Sequence, residues 1–204
     1  MMRGGTIEGA ARSRWWLFWV LALAVSAILA LAAATAPPGV AAIRLAIRVT
    51  ARTSLLLFCT AFVASALAGW WPGRATRALL AYRRQIGLAF AWSHALHLAA
   101  IIVLARVDPV GFHASAVTRI FGGFAYDLIA AMAATSFDRT ARWLGARRWR
   151  LLHVIGSYYV WLIFTNSYAG RAFRDAYYVP MLSLLVVAMV VRLTWAARRL
   201  RGRA

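Results

Sequence analysis

The chain has no lysine, a single cysteine and only five acidic residues. Each shortage excludes a class of function. One cysteine, Cys59, cannot form an intrachain disulfide, a Cys-x-x-Cys redox pair or a covalent CxxCH haem. Nor can this chain alone hold an iron–sulfur cluster on cysteines. The surroundings of Cys59, SLLLFCTAFVASALAG, suit a small buried hydrophobe. No GxGxxG occurs, and the short connections between apolar blocks leave no room for a nucleotide-binding unit. Internal repeats, low-complexity tracts and a soluble domain are also missing. Against the few acids stand 24 arginines, giving a net charge of +19. On a soluble protein such a balance would suggest nucleic acid. Here the arginines flank apolar blocks, as membrane topology signals do, and no nucleic-acid partner is expected.

What the chain has in abundance is apolar length. It is 63% hydrophobic with a mean hydropathy of +0.69, whereas soluble domains carry about 45–50% apolar residues. Six blocks approach the ~20 residues needed to cross a bilayer as a helix: 15–34, 54–71, 86–104, 118–136, 151–168 and 177–196. The expected fold class is therefore all-α, an integral membrane bundle of about six transmembrane helices spanning 15–197. A short segment, 1–14, precedes it, and a basic tail, 198–204, follows. The first block is longer than a signal-peptide core and reads as an uncleaved anchor in the lipid bilayer. Arginines concentrate in the two termini and the second and fourth loops. The first, third and fifth loops hold seven: Arg44, Arg48, Arg52, Arg106, Arg119, Arg171 and Arg174. Because Lys/Arg-rich segments stay cytoplasmic, both termini are expected inside a bacterial inner membrane. Arg44, Arg48 and Arg52 recur every four residues, which reads either as one face of a short interfacial helix or as a solvated loop.

Ionisable side chains inside spans are costly and usually functional. Four draw attention. His94 and His97 lie three apart on one helical face of the third block, in RRQIGLAFAWSHALHL, with Arg83 and Arg84 at its start. His153 opens the fifth block, in WRLLHVIGSYYVWLIF, and Asp127 lies inside the fourth, in FGGFAYDLIAAMAA. Imidazole is the usual haem-iron ligand, and the arginines could meet haem propionates. His94 beside Ser93 also suits a hydrogen bond to a neighbouring helix. Tyr158, Tyr159 and Trp161 read as packing or anchoring residues. Asp127 relays a proton, pairs with Arg171 or Arg174, or faces a polar cavity, the pairing being the stronger expectation. Gly122 and Gly123 permit close helix approach, and His113 reads as a surface loop residue.

Two motifs, RRxxGLxxxxxxxLHL from Arg83 and WLGxRxWRxLH ending at His153, resemble the ferric reductase-like transmembrane domain. That family includes the haem-binding membrane subunit of the bacterial methionine-sulfoxide reductase system. The resemblance covers residues 83–168. It implies one or two b-type haems held between the third and fifth spans, with His97 and His153 as iron ligands. It also implies transmembrane electron transfer from a cytoplasmic flavoprotein or a quinol to a periplasmic acceptor. Flavin or quinol would come through a partner or an unrecognised site. The chain departs from the family where a further fifth-span histidine is usual, having Thr165-Asn166-Ser167 instead.

Depth along the helices sharpens that departure. His97 lies about 20 Å past Arg84, and His153 about 5 Å past Arg150, at 1.5 Å per residue. Either the helices are offset, or His94 is the third-span ligand, or the haem is five-coordinate or lost. Two further readings stay open: a cofactor-free structural or assembly protein on the same scaffold, and a small proton-coupled transporter using Asp127 and His94.

Overall fold

The computed structural model describes residues 15–202, and among these there is helix and no strand. The N-terminal segment 1–14 lies outside the described residues. The α-helices are α1 (Trp15–Thr35), α2 (Val40–Trp70), α3 (Arg74–Val107), α4 (Ala116–Ala134), α5 (Asp138–Leu144), α6 (Ala146–Ala172) and α7 (Val179–Arg201). A 3₁₀ turn, Ala176–Tyr178, leads into α7.

Local chemistry places the breaks. Pro37, Pro38 and Gly39 separate α1 from α2, and Gly39 takes a positive φ of 89°. Before α3, the Thr76 hydroxyl accepts from the Gly73 N–H at 3.0 Å and donates to Trp71 O at 2.6 Å. Ser115 caps α4 by accepting from the Thr118 N–H at 3.1 Å. Gly145, the glycine of the WLGxRxWRxLH motif, sits at φ +80° and divides α5 from α6. That conformation is costly for a residue with a Cβ.

Among the described residues, five helical stretches are both long and apolar enough to cross a membrane: α1, α2, α3, α4 and Ala176–Arg201. The class is thus an all-helical protein of multi-pass membrane type. Helix α6 has the length, 27 residues or about 40 Å, but His153, Tyr158, Tyr159, Thr165 and Asn166 make it less apolar.

Arg44, Arg48 and Arg52 form neither the separate interfacial helix nor the loop expected from their spacing alone; they belong to the first turns of α2. Arginine is a good helix former, and nothing between Val40 and Gly69 breaks the run. Helix α7 runs into the basic tail as far as Arg201.

The chain groups into two compact units, Met1–Ala61 with Arg77–Phe112, and Phe62–Thr76 with His113–Ala204. In the first, α1 meets α3 where the Trp92 indole donates to Ser26 Oγ at 3.2 Å and Trp16 lies edge-on to Tyr82. Helix α2 meets α3 through Phe58 on Phe90, with Leu55, Cys59, Ile86 and Ala89 buried beside them. At one end of this unit Arg44 and Asp108 form an ion pair at 3.1 Å, and Asp108 also accepts from the Gly111 N–H.

In the second unit α6 is central. Tyr159 donates to Phe121 O on α4 at 3.0 Å, and the Trp161 indole donates to Leu185 O on α7 at 2.9 Å. Gly156 lets α6 approach Met132 of α4 closely. Arg192 of α7 donates to Phe62 O at 2.8 Å and lies over the Phe62 and Tyr158 rings, 4.1 and 4.9 Å from their centroids. Burying that guanidinium is tolerable because a carbonyl and two aromatic faces replace its water.

Candidate functional site

Within the first unit a polar cluster interrupts the apolar packing of α2 on α3. Thr50, Ser54 and Ser93 are fully buried. The Thr53 and Ser93 hydroxyls are 2.8 Å apart, Ser54 donates to Ser93 Oγ at 2.9 Å, and Ser93 donates to Thr50 O at 3.4 Å. One helical turn beyond Ser93, His97 joins the cluster. Its Nδ1 is 3.1 Å from Ile47 O and 3.1 Å from Thr50 Oγ1.

These contacts fix the tautomer of His97. A carbonyl oxygen only accepts, so Nδ1 must carry the proton. The Thr50 hydroxyl donates to Ala46 O at 2.7 Å, so it too accepts from Nδ1. In the neutral ring the lone pair then lies on Nε2. An Nδ1–H tied to a backbone carbonyl is the outer-shell arrangement that orients metal-binding histidines. His97 therefore fits a haem-iron ligand in the chemistry of its donor atom.

His94 lies one turn earlier, its ring stacked on His97 at 5.2 Å and next to Phe90 at 5.5 Å. Two axial ligands approach an iron from opposite faces. Side-by-side imidazoles on one helix cannot do so, so at most one of this pair could hold a haem iron. Arg83 donates through Nε to Ala61 O at 3.0 Å, and Arg84 lies over the Trp15 ring at 5.6 Å. Both arginines thus contribute to packing in the first unit.

His153 sits in the second unit, half-buried at the start of α6, stacked on Trp149 at 4.2 Å. Its Nε2 lies 3.3 Å from Thr135 Oγ1. The Thr135 hydroxyl also lies 2.7 Å from Ala131 O, so it either accepts from Nε2–H or donates to Nε2; both arrangements occupy Nε2. The Trp149 indole donates to Thr135 O at 2.9 Å, closing this corner of α4 and α6. To ligate through Nε2, His153 would have to give up Thr135.

The remaining candidates are placed as follows. Asn166 and Ser167, where the family places a histidine, are exposed. His113 is exposed in its loop. Asp127 is exposed on α4, with no hydrogen bond or ion pair among the described residues. The expected pairing with Arg171 or Arg174 is not made; Arg171 lies over the Tyr178 ring at 5.8 Å. The reason is angular. Ala125 and Ile129 are the buried residues of α4, and each lies about 200° around the helix from Asp127. Among the described residues no three His, Cys, Asp or Glu side chains gather as a metal-ion site. Sequence reasoning missed Thr50, Ile47 and Thr135, the partners that hold the two imidazoles. Only the hydroxyl-rich run VTARTS, sitting at the start of an apolar block, hinted at a polar seam.

Comparison of the sequence with models of known families and with curated proteins gives no match.

Proposed function

We propose that the chain is a membrane electron-transfer subunit that holds b-type haem through His97 Nε2. On this reading α6 crosses the bilayer as a sixth span, both termini are cytoplasmic, and the membrane is a bacterial inner membrane. Electrons enter from a cytoplasmic flavoprotein or a quinol and leave to a periplasmic acceptor. The observation that carries the proposal is the His97 Nδ1–H directed at Ile47 O. It sets the lone pair on the distal nitrogen of a histidine lodged in a long apolar helix. The motif resemblance at Arg83–Leu98 and Trp143–His153 supports the same reading.

Haem, when bound, supplies one-electron redox chemistry, with a potential set by ligand, polarity and burial. The protein's own contribution is positional. Ile47 O and Thr50 hold the His97 ring in one orientation, and Ser93 with Thr53 and Ser54 ties α3 to α2 one turn away. His153 serves as a second ligand through Nε2 only after that nitrogen leaves Thr135, so a single strong protein ligand is the arrangement these hydrogen bonds favour.

A second reading has an observation of its own. The hydroxyl cluster together with His97 is a self-consistent interhelical staple, which suits a cofactor-free scaffold protein. Purification in mild detergent, a dithionite-reduced minus oxidised spectrum and a pyridine haemochrome assay separate the two. The proposal expects a b-type signal that His97→Ala abolishes. A colourless protein after expression with ample haem, or an unchanged signal in His97→Ala, refutes it.

A further inference from the structure

Asp127 poses a problem that the haem reading does not touch. It lies 11 residues from Ala116 and seven from Ala134 in a helix apolar enough to cross a membrane. At 1.5 Å per residue that is about 16 Å from one end and about 10 Å from the other. An aspartate is too short to reach the headgroups from there, unlike the long basic side chains that snorkel. Its carboxyl is exposed and has no hydrogen-bond or ion-pair partner among the described residues. A carboxylate facing hydrocarbon is expensive, and such residues face protein or water and pair with a counterpart.

The face around it is shaped for a helix. Ala116, Ile120, Gly123, Ala130 and Ala134 all lie within about 60° of Asp127 around α4, and all are exposed. A Cβ added at Gly123 would meet nothing within 4 Å. Ile120 and the exposed Phe124 lie to one side of Asp127; on the other side the small residues Ala116, Gly123, Ala130 and Ala134 allow close backbone approach between membrane helices. The cation nearest on the same helix, Arg119, is eight residues away and donates to Ala114 O at 2.9 Å. Arg192, inside α7, is committed to Phe62 and Tyr158.

We infer that this face of α4 docks a transmembrane helix of another protein that carries an arginine or lysine at mid-depth, paired with Asp127. Charge complementarity selects that occupant over a second copy. A two-fold interface about α4 would set Asp127 against its own counterpart, like charge on like. The Gly123 side of the face admits the partner backbone, and the carboxylate fixes its depth.

The test uses the full chain, fluorescently labelled and reconstituted in phosphatidylcholine vesicles. The probes are labelled Leu/Ala peptides of about 20 residues with one central arginine, glutamate or leucine. Energy transfer should show the arginine peptide binding about tenfold better than the leucine peptide, the scale of one interhelical polar bond in a bilayer. Asp127→Asn should remove that preference, and Asp127→Arg should transfer it to the glutamate peptide. Equal binding of all peptides to the wild-type chain, or an arginine preference that survives Asp127→Asn, overturns the inference. So does efficient disulfide cross-linking of two copies through Ala130→Cys in a Cys59→Ala background, which would assign the face to self-association.

Discussion

Thr50→Val is the substitution that separates a ligand-orienting role from a packing role. Valine keeps the shape of the buried threonine and removes Oγ1. The hydroxyl's donation, shared between Ala46 O at 2.7 Å and Ile47 O at 3.2 Å, goes with it, and so does the acceptance from His97 Nδ1 at 3.1 Å. The first is local, since Ala46 O lies one turn back in the same helix. The second joins α2 to α3. Polar bonds between membrane helices average about 0.6 kcal/mol and reach about 1.7 kcal/mol. His97 retains Ile47 O at 3.1 Å, so the loss should fall in the lower half of that range. Haem affinity should respond more strongly than stability. Removing an outer-shell partner typically costs about 10–100-fold in metal affinity. With one of the two acceptors kept, about tenfold is expected. Haemin titration of the apoprotein in detergent, followed in the Soret band, gives the affinity, and unfolding in mixed SDS micelles gives the stability. Weaker haem binding with a small stability loss is the expected result. A stability loss with haem affinity unchanged would mean that Thr50 only joins helices and that His97 is not oriented through it.

At the other imidazole, Thr135→Val removes the hydrogen-bond partner of His153 Nε2. The bond is long at 3.3 Å, so stability should fall by less than about 1 kcal/mol. If His153 is the second iron ligand, this variant should raise the six-coordinate low-spin fraction in the reduced spectrum; an unchanged spectrum would leave His153 outside the coordination sphere. Two glycines test the packing of the second unit. A Cβ on Gly69 would run into the Trp195 ring, whereas one on Gly156 would meet Met132 Sδ at 2.7 Å. The indole is rigid and the thioether is not. Gly69→Ala should therefore cost about 1–3 kcal/mol and Gly156→Ala less than about 1 kcal/mol, read as thermal midpoints in one detergent. Equal shifts would contradict the helix contacts described.

The helices were legible where the sequence carries breakers. The Pro37-Pro38-Gly39 and Pro72-Gly73 interruptions mark two turns from composition alone. The extent of α2 was not legible, because arginines at every fourth position read as flanking charge although they do nothing to stop a helix. The α5–α6 division at Gly145 was missed for a related reason: a glycine signals a positive φ only once its backbone is seen. His97 stood out as an ionisable group in an apolar run, but its partners Ile47 and Thr50 lie about 50 residues earlier and meet it only through helix packing. Asp127 was assigned to Arg171 or Arg174 on charge alone. Helical angle decides otherwise, since the face of α4 that buries Ala125 and Ile129 is opposite the one that carries Asp127.

That last point bears on how histidines in membrane helices are judged. Being imidazole in an apolar run makes His94, His97 and His153 equivalent in sequence, yet their environments give them different chemistry. His97 is held by its inner nitrogen and directs a lone pair outward from the ring. His153 is held by its outer nitrogen, at a corner that Trp149 and Thr135 close. His94 is stacked against His97 on the same helix and cannot be its trans partner. A two-histidine haem would therefore require the chain to break a hydrogen bond that His153 already makes. On the proposed reading, Asn166 in place of the family's further histidine points the same way: neither fifth-span position offers a ready second ligand, and α3 would carry the coordination through His97.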